Sequence, residues 1–268
     1  METLENKVVI ITGASEGIGR SLSFKFAQRG AKIVICARNE ARLNELKAEI
    51  ESLFGSHVLT VPADLTDKDA CQGLINQTLD AYGRIDILVN NAGRTMWTPF
   101  EDIRDLSMFE QIMDLNYLAG VYCTYYALPY LKKTKGRIVG IASVAGLTGV
   151  PCRTAYAASK HAMFGFFDSL RVELKETGVS VIMIAPDFVL SQIHKRALDG
   201  SGKALGKSPL QESKIMTAEE CAQLIIRAVE NRDRILITSL RGKLGRWLKL
   251  IAPSLIDKIA AKAIKEAK

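Results

Sequence analysis

Seven short apolar runs rich in valine and isoleucine, at 8–11, 31–36, 58–61, 85–89, 137–141, 179–185 and 234–237, constrain this chain more than any other feature. They are nearly continuous rather than alternating, the pattern of strands covered on both faces. Amphipathic stretches of helical length separate them; within 39–53, for example, Leu43, Leu46 and Ile50 share one face. Strand and helix in alternation imply a parallel sheet with helices on both sides. The expected fold is therefore α/β, a doubly wound parallel seven-stranded sheet. A chain of 268 residues carries one such domain, expected over 1–240. The irregular segment at about 187–215, with Gly200, Gly202, Gly206 and Pro209, reads as a lid or substrate loop, because structureless loops beyond about 15 residues in compact domains are usually functional.

A formal charge of +7 raises the question of a nucleic acid or an anionic membrane as partner. The surplus is not spread evenly. Residues 241–268 hold eight basic side chains against two acidic ones, which leaves the first 240 residues almost neutral. No recognition motif accompanies the basic segment, so no nucleic acid is expected. The five cysteines are an odd number and lie far apart, which fits reduced thiols and a cytoplasmic protein. His57, His161 and His194 are scattered, so no metal is expected. The first residues are acidic and run straight into a strand, without the pattern of a secretory leader. The apolar runs fall far short of the ~20 residues that span a bilayer.

The first run is followed by Thr12-Gly13-Ala14-Ser15-Glu16-Gly17-Ile18-Gly19 and then by a helical pattern to Arg29. In such a turn one glycine allows the sharp bend, a second lets backbone approach a pyrophosphate, and a third lets helix and strand pack closely. The phosphates then meet free N–H groups at a helix N-terminus. NAD-binding chains usually end the second strand with Asp or Glu, which holds the ribose 2′-hydroxyl. Here that place reads Cys36-Ala37-Arg38-Asn39. With no acid to repel it and a guanidinium to attract it, a 2′-phosphate is favoured. The expected cofactor is NADPH/NADP.

Further motifs follow in order. Asp64-Leu65 comes after the third run, Asn90-Asn91-Ala92-Gly93 ends the fourth, and Asn116 lies on the next helix. Ser143 ends the fifth run, and Tyr156-Ala157-Ala158-Ser159-Lys160 opens the helix after it. In this order and at this spacing the chain resembles the short-chain dehydrogenase/reductase family across roughly 7–237. The resemblance implies a Rossmann fold and an NADP(H)-preferring, carbonyl reductase-like member. It assigns catalysis to Asn116, Ser143, Tyr156 and Lys160. It assigns cofactor binding to Gly13, Ser15, Glu16, Gly17, Ile18, Gly19, Arg38, Asp64, Leu65, Asn90, Ala92, Gly93, Tyr156, Lys160, Pro186 and Ser191.

The chemistry explains these residue types. Hydride transfer to a ketone leaves an alkoxide that needs a proton, and a free tyrosine holds its proton to about pH 10. A lysine four residues on shares the helix face and favours the phenolate. A serine hydroxyl steadies the charge on the substrate oxygen, and the resemblance gives Asn116 a place in a water chain through Lys160. One departure stands out. Where the family usually has Pro-Gly and then Thr, this chain reads Pro186-Asp187-Phe188-Val189-Leu190-Ser191. Asp187 either adds a carboxylate at the mouth of the site or points outward.

In this family the substrate meets the loop after the fourth strand, the residues after the serine, and the lid. Here these include Met96, Trp97, Phe100, Leu147, Val150, Cys152, Phe188, Leu190 and Ile193, with Trp97, Leu147 and Phe188 expected beside Ser143 and Tyr156 against a hydrophobic ketone, steroid or lipid-like compound or its alcohol. A non-catalytic cofactor sensor, or a membrane-recruited binding protein on the same scaffold, is the alternative. It would be marked by loss of a catalytic residue, and all four are present. The amphipathic C-terminal tail, 241–268, holds two helical patterns interrupted by Pro253. Leu244, Trp247, Leu248 and Ile251 share a face of the first. Ile256, Ile259, Ala260, Ala263, Ile264 and Ala267 form the stripe of the second. Basic residues beside Trp and Leu suit either peripheral contact with a membrane interface or packing on a neighbouring subunit. The family usually forms homodimers or homotetramers.

Overall fold

The structure, a computed structural model, describes residues 3–210 and 215–266, with side chains as far as 262. Its centre is a sheet of seven parallel strands: β1 (Val8–Thr12), β2 (Lys32–Ala37), β3 (Val58–Pro62), β4 (Ile87–Asn90), β5 (Arg137–Ile141), β6 (Ser180–Ala185) and β7 (Ile235–Ile237). Their spatial order is β3-β2-β1-β4-β5-β6-β7. The register places Ile10 of β1 between Val34 of β2 and Leu88 of β4. The helices between them are α1 (Gly17–Ala27), α2 (Glu40–Phe54), α3 (Lys68–Tyr82), α4 (Ser107–Met113), α5 (Ala119–Thr134), α6 (Thr154–Glu173) and α7 (Ala218–Glu230). The fold is the doubly wound arrangement that the alternation predicts.

Both faces of the sheet are covered, which is why the runs do not alternate. Val9, Ile11, Ile33 and Ile35 pack on one side with Leu22 and Phe26 of α1, Leu46 of α2 and Ile225 of α7. Val8, Ile10, Val34 and Cys36 face the other way, onto Leu74 of α3, Leu131 of α5 and Phe167 of α6. Local signals bound the helices. Asn39 caps α2 by accepting from the Arg42 N–H at 3.0 Å, and Thr217 and Glu220 close α7 with a reciprocal capping box.

The strand order reverses between β1 and β4, so the chain leaves these two strands in opposite directions. The crevice this opens at their C-terminal ends is where such sheets bind ligands. The expected lid crosses it. Its residues 211–214 lie outside the described ones, but the rest is tied down. Trp97 and Leu198 exchange backbone bonds with the lid and the loop after β4 (Trp97 N–H to Leu198 O and Leu198 N–H to Thr95 O, both 2.9 Å), and Leu190 donates to Met216 at 2.8 Å.

The tail is packed on the body. It forms α8 (Leu240–Ile251) and α9 (Pro253–Glu266). Gly242 and Gly245 are the buried residues of α8. A Cβ on Gly242 would stand 2.8 Å from side-chain carbons of Ile237 and Val144, so α8 lies tight against β7 and the short turn Val144–Gly146. The opposite face carries Leu240, Leu244, Trp247 and Ile251, all exposed. Of the second expected stripe, Ile256 is buried, Ala260 is half-buried and Ile259 is exposed; Ala263, Ile264 and Ala267 lie outside the described side chains.

Candidate active site

A cleft of about 520 Å³ runs along the C-terminal ends of β1, β4, β5 and β6. At one end lies the glycine-rich turn. Gly13 and Gly17 have φ of +64° and +56°, which side-chain-bearing residues rarely adopt. A Cβ on Gly13 would stand 2.9 Å from Ala92 Cα, and one on Gly19 2.3 Å from the Gly13 carbonyl oxygen. Strand, turn and helix are therefore as close as backbone allows. Thr12 ties the ends of β1 and β4 together, donating to Val89 O and accepting from the Asn91 and Ala92 N–H groups. The first N–H groups of α1 receive no side-chain cap. Its N-cap residue Glu16 instead binds Arg42 at 3.0 Å and Arg196 of the lid at 2.7 Å. An open helix N-terminus over a side-chain-free cradle fits a dinucleotide pyrophosphate.

Ser15, Ile18, Arg38, Asp64 and Leu65 line this end with the glycines. Arg38 is largely exposed and 3.9 Å from Asp64. Arg42 lines the cleft beside it, a second guanidinium that the reading of the sequence passed over. Its signal was there: it stands four residues after Arg38, in the first turn of α2.

At the other end α6 presents Tyr156 and Lys160 on one face, both buried. The Lys160 ammonium lies 5.8 Å from the Tyr156 ring centre and donates to Ile141 O at 2.9 Å. Burial pushes it down to about 7. Ser143 caps the turn Val144–Gly146: its Oγ accepts from Ala145 N–H at 3.2 Å and reaches Pro186 O at 3.4 Å. Ala92, Gly93, Pro186 and Ser191 complete the wall.

The structure separates some expected residues from the cleft. Asn116 sits in a π-helical turn, Asp114–Leu118, between α4 and α5. Its Oδ1 accepts from Arg94 N–H, and its Nδ2 donates to Arg94 O and Ser159 Oγ. It adjoins Lys160 across Gly93, where a Cβ would stand 3.1 Å from Asn116 Oδ1 and 3.7 Å from Lys160 Nζ. Asn90 is buried behind the wall and donates to Thr124 Oγ1 at 3.1 Å. Both asparagines border a smaller hollow behind the cleft. Gly19 lies beneath the turn. Of the three apolar substrate residues, only Phe188 lines the cleft. Trp97 is one layer back, stacked on Arg153, and Leu147 turns its carbonyl to Lys249 of α8.

Asp187 turns out to be a tail anchor. It accepts from Ser239 Oγ at 2.7 Å and from Arg241 at 2.7 and 3.2 Å. This holds the start of α8 over the site, and Arg241, Gly245, Ile256, Ile259 and Ala260 line the same cleft as Tyr156. The tail is thus a wall of the site, where the sequence pattern pointed to a membrane interface or a neighbouring subunit.

Comparison with known proteins identifies the family and the fold. The family described as short chain dehydrogenase matches residues 7–201. The "Dehydrogenase/reductase SDR family protein 7-like" of Dictyostelium discoideum is 36% identical over 98% of the chain and 84% of its own length. The "11-beta-hydroxysteroid dehydrogenase 1A" of Arabidopsis thaliana is 35% identical over 96% of the chain and 75% of its own length. A crystal structure of a short chain dehydrogenase/reductase from Burkholderia phymatum in complex with NAD superposes with a TM-score of 0.84. It covers 95% of this chain and 96% of that one at 24% identity, a likeness of fold.

Proposed function

The chain belongs to the short chain dehydrogenase family and is an oxidoreductase of that type, and from that premise we propose that it transfers hydride between NADP(H) and the carbonyl or alcohol of a hydrophobic substrate, with Tyr156 as acid/base. One observation carries the reading: Tyr156, Lys160 and Ser143 line the same cleft as the glycine cradle. A bound nicotinamide dinucleotide supplies or accepts the hydride. Ser143 Oγ, held at the cleft by Ala145 and Pro186, orients the substrate oxygen and steadies its charge. Tyr156 passes the proton to that oxygen in reduction and takes it back in oxidation. Lys160, poised near neutrality by burial, offsets the phenolate charge and can hold or release a proton at working pH. Asn116 positions Gly93 and the loop after β4 by its bonds to Arg94.

The preference for the 2′-phosphate rests on Arg38 and Arg42, with no acid at the end of β2. A steroid or lipid-like substrate is supported by the apolar wall of Val144, Val150, Ile193, Ile256 and Ile259, and by the printed name of the Arabidopsis relative. The exposed Leu240, Leu244, Trp247 and Ile251 beside Lys243 and Arg246 support peripheral membrane contact by the tail. Tyr125 of α5 and Val172 of α6, both exposed, support a homodimer or homotetramer joined through these helices.

Tyr156→Phe is expected to cut turnover by about two to four orders of magnitude while NADPH binding, read by fluorescence, persists; full turnover in that variant would refute the mechanism. Arg38→Ala and Arg42→Ala are each expected to weaken NADPH binding by about tenfold to a hundredfold and to leave NADH nearly unchanged. Equal losses for both cofactors would refute the phosphate assignment.

A further inference from the structure

One buried charge in the cleft is not used by this mechanism. Arg153, three residues before Tyr156, is 4% exposed, yet it lines the cleft. No carboxylate among the described residues pairs with it. Its guanidinium is enclosed by three rings, 4.9 Å from the centre of Trp97, 5.1 Å from Tyr156 and 5.4 Å from Phe188. Among the described residues the guanidinium's one polar contact is with His194 Nδ1, at 3.4 Å, and its Nε has no partner. That histidine is held on the far side by Val189 O at 3.2 Å. Burial and Arg153 itself push it down to about 4, so it is neutral and supplies no counter-charge. Asp187, the nearby carboxylate, is engaged by Arg241 and Ser239. The backbone contributes to the placement. Cys152, just before Arg153, has φ +63°, a strained setting for a residue with a side chain, held by Thr98 N–H on Cys152 O at 3.0 Å.

A buried cation is expensive unless an anion completes it, and aromatic faces compensate only in part. Arginine keeps its proton in such a place, and its planar fork matches a carboxylate. Around it Val144, Val150, Phe188, Ile193, Ile256 and Ile259 give the pocket an apolar wall, and Arg241, the other guanidinium beside Phe188, is held by Asp187. We infer that the substrate is an amphipathic oxo acid, whose apolar body lies on the lid and tail and whose carboxylate is received by Arg153 while its carbonyl meets Tyr156 and Ser143. This rests on the proposed reductase reading and sharpens its substrate class. In the step, the C=O carbon takes hydride and its oxygen takes the Tyr156 proton. The ketone becomes a secondary alcohol, the reduced dinucleotide is oxidised, and the carboxylate is unchanged. Trp97 and His194 are positioning residues that act through Arg153.

The test compares 3-benzoylpropionate with its methyl ester, and phenylglyoxylate with its methyl ester, on the full chain with NADPH. Turnover and calorimetric binding to the NADP-loaded protein are both measured. The wild-type protein is expected to prefer each acid over its ester by at least about tenfold in kcat/KM or in Kd. Arg153→Met should reduce that ratio to near one, and Arg153→Lys should keep part of it. An acid-to-ester ratio of one or less in the wild type overturns the inference without any variant, so a misfolded variant does not shelter it. An unchanged ratio in Arg153→Met also overturns it and makes the arginine a support for Tyr156 or the lid. Turnover of the neutral esters without acid preference would leave the reductase reading standing and remove only this inference. If nothing is turned over, the binding ratio still decides it.

Discussion

Lys160 shows how much one placement can change a residue's chemistry. Its ammonium is buried against Ile141 O and Met163 Sδ, and burial takes it from 10.5 down to about 7. Between these values the unfolded chain holds a proton that the folded protein has released, so stability rises with pH across that window and is lowest below pH 7. Lys160→Met removes this term. Wild type should therefore gain stability relative to the variant between pH 7 and 10, by at most about 1.4 kcal/mol per pH unit. Urea midpoints of the two proteins over that range check the slope; parallel curves would refute it. His194 has the same sign lower down: its neutral form is favoured, and stability falls as pH drops from 6.5 toward 4. The Tyr-x-x-x-Lys spacing was legible because four residues make one helical turn. The burial of Lys160 was not, since it depends on β5 and Gly93 closing around it.

The tail is the element whose role changed most. As a sequence, 241–268 shows charge and amphipathic stripes and nothing of where they pack. In the fold, the buried glycines bring α8 close, Ser239 caps it by accepting from Gly242 N–H at 3.0 Å, and Asp187 clasps Ser239 and Arg241. The aspartate in place of the usual glycine is thus explained by its partners, which lie more than fifty positions on. Asp187→Gly removes the clasp. Because Arg241 is half exposed, the ion pair itself contributes at most about 1 kcal/mol, and the hydroxyl bond about 1 kcal/mol more. A loss of about 1–2 kcal/mol in chemical denaturation is expected, together with faster proteolysis between 240 and 262. Unaltered cleavage would show that α8 is held by packing alone.

At the scale of the whole molecule, apolar surface is distributed in two ways. The sheet is sealed on both faces, while α8 leaves Trp247 at 66% and Ile251 at 79% exposed. None of the helices, among the described residues, is long and apolar enough to cross a membrane, so the stripe would lie on a surface. The full chain is expected to float with phosphatidylglycerol vesicles at low salt and to be released by salt. The triple variant Leu244→Ser, Trp247→Ser, Ile251→Ser should stay in solution. No flotation, with a smaller oligomer for the variant, would assign the stripe to a subunit contact. The strands, their parallel direction and the glycine-rich turn were determined by the sequence alone, because apolar continuity, helical period and the steric freedom of glycine act over a few neighbouring residues. Which side chains share the cleft was decided only by the tertiary structure. Trp97 withdrawn behind Arg153, Asp187 turned to Arg241 and the tail made a wall are all contacts between distant segments. Their energies depend on burial and on which charge ends beside which, and no local pattern in the chain encodes that.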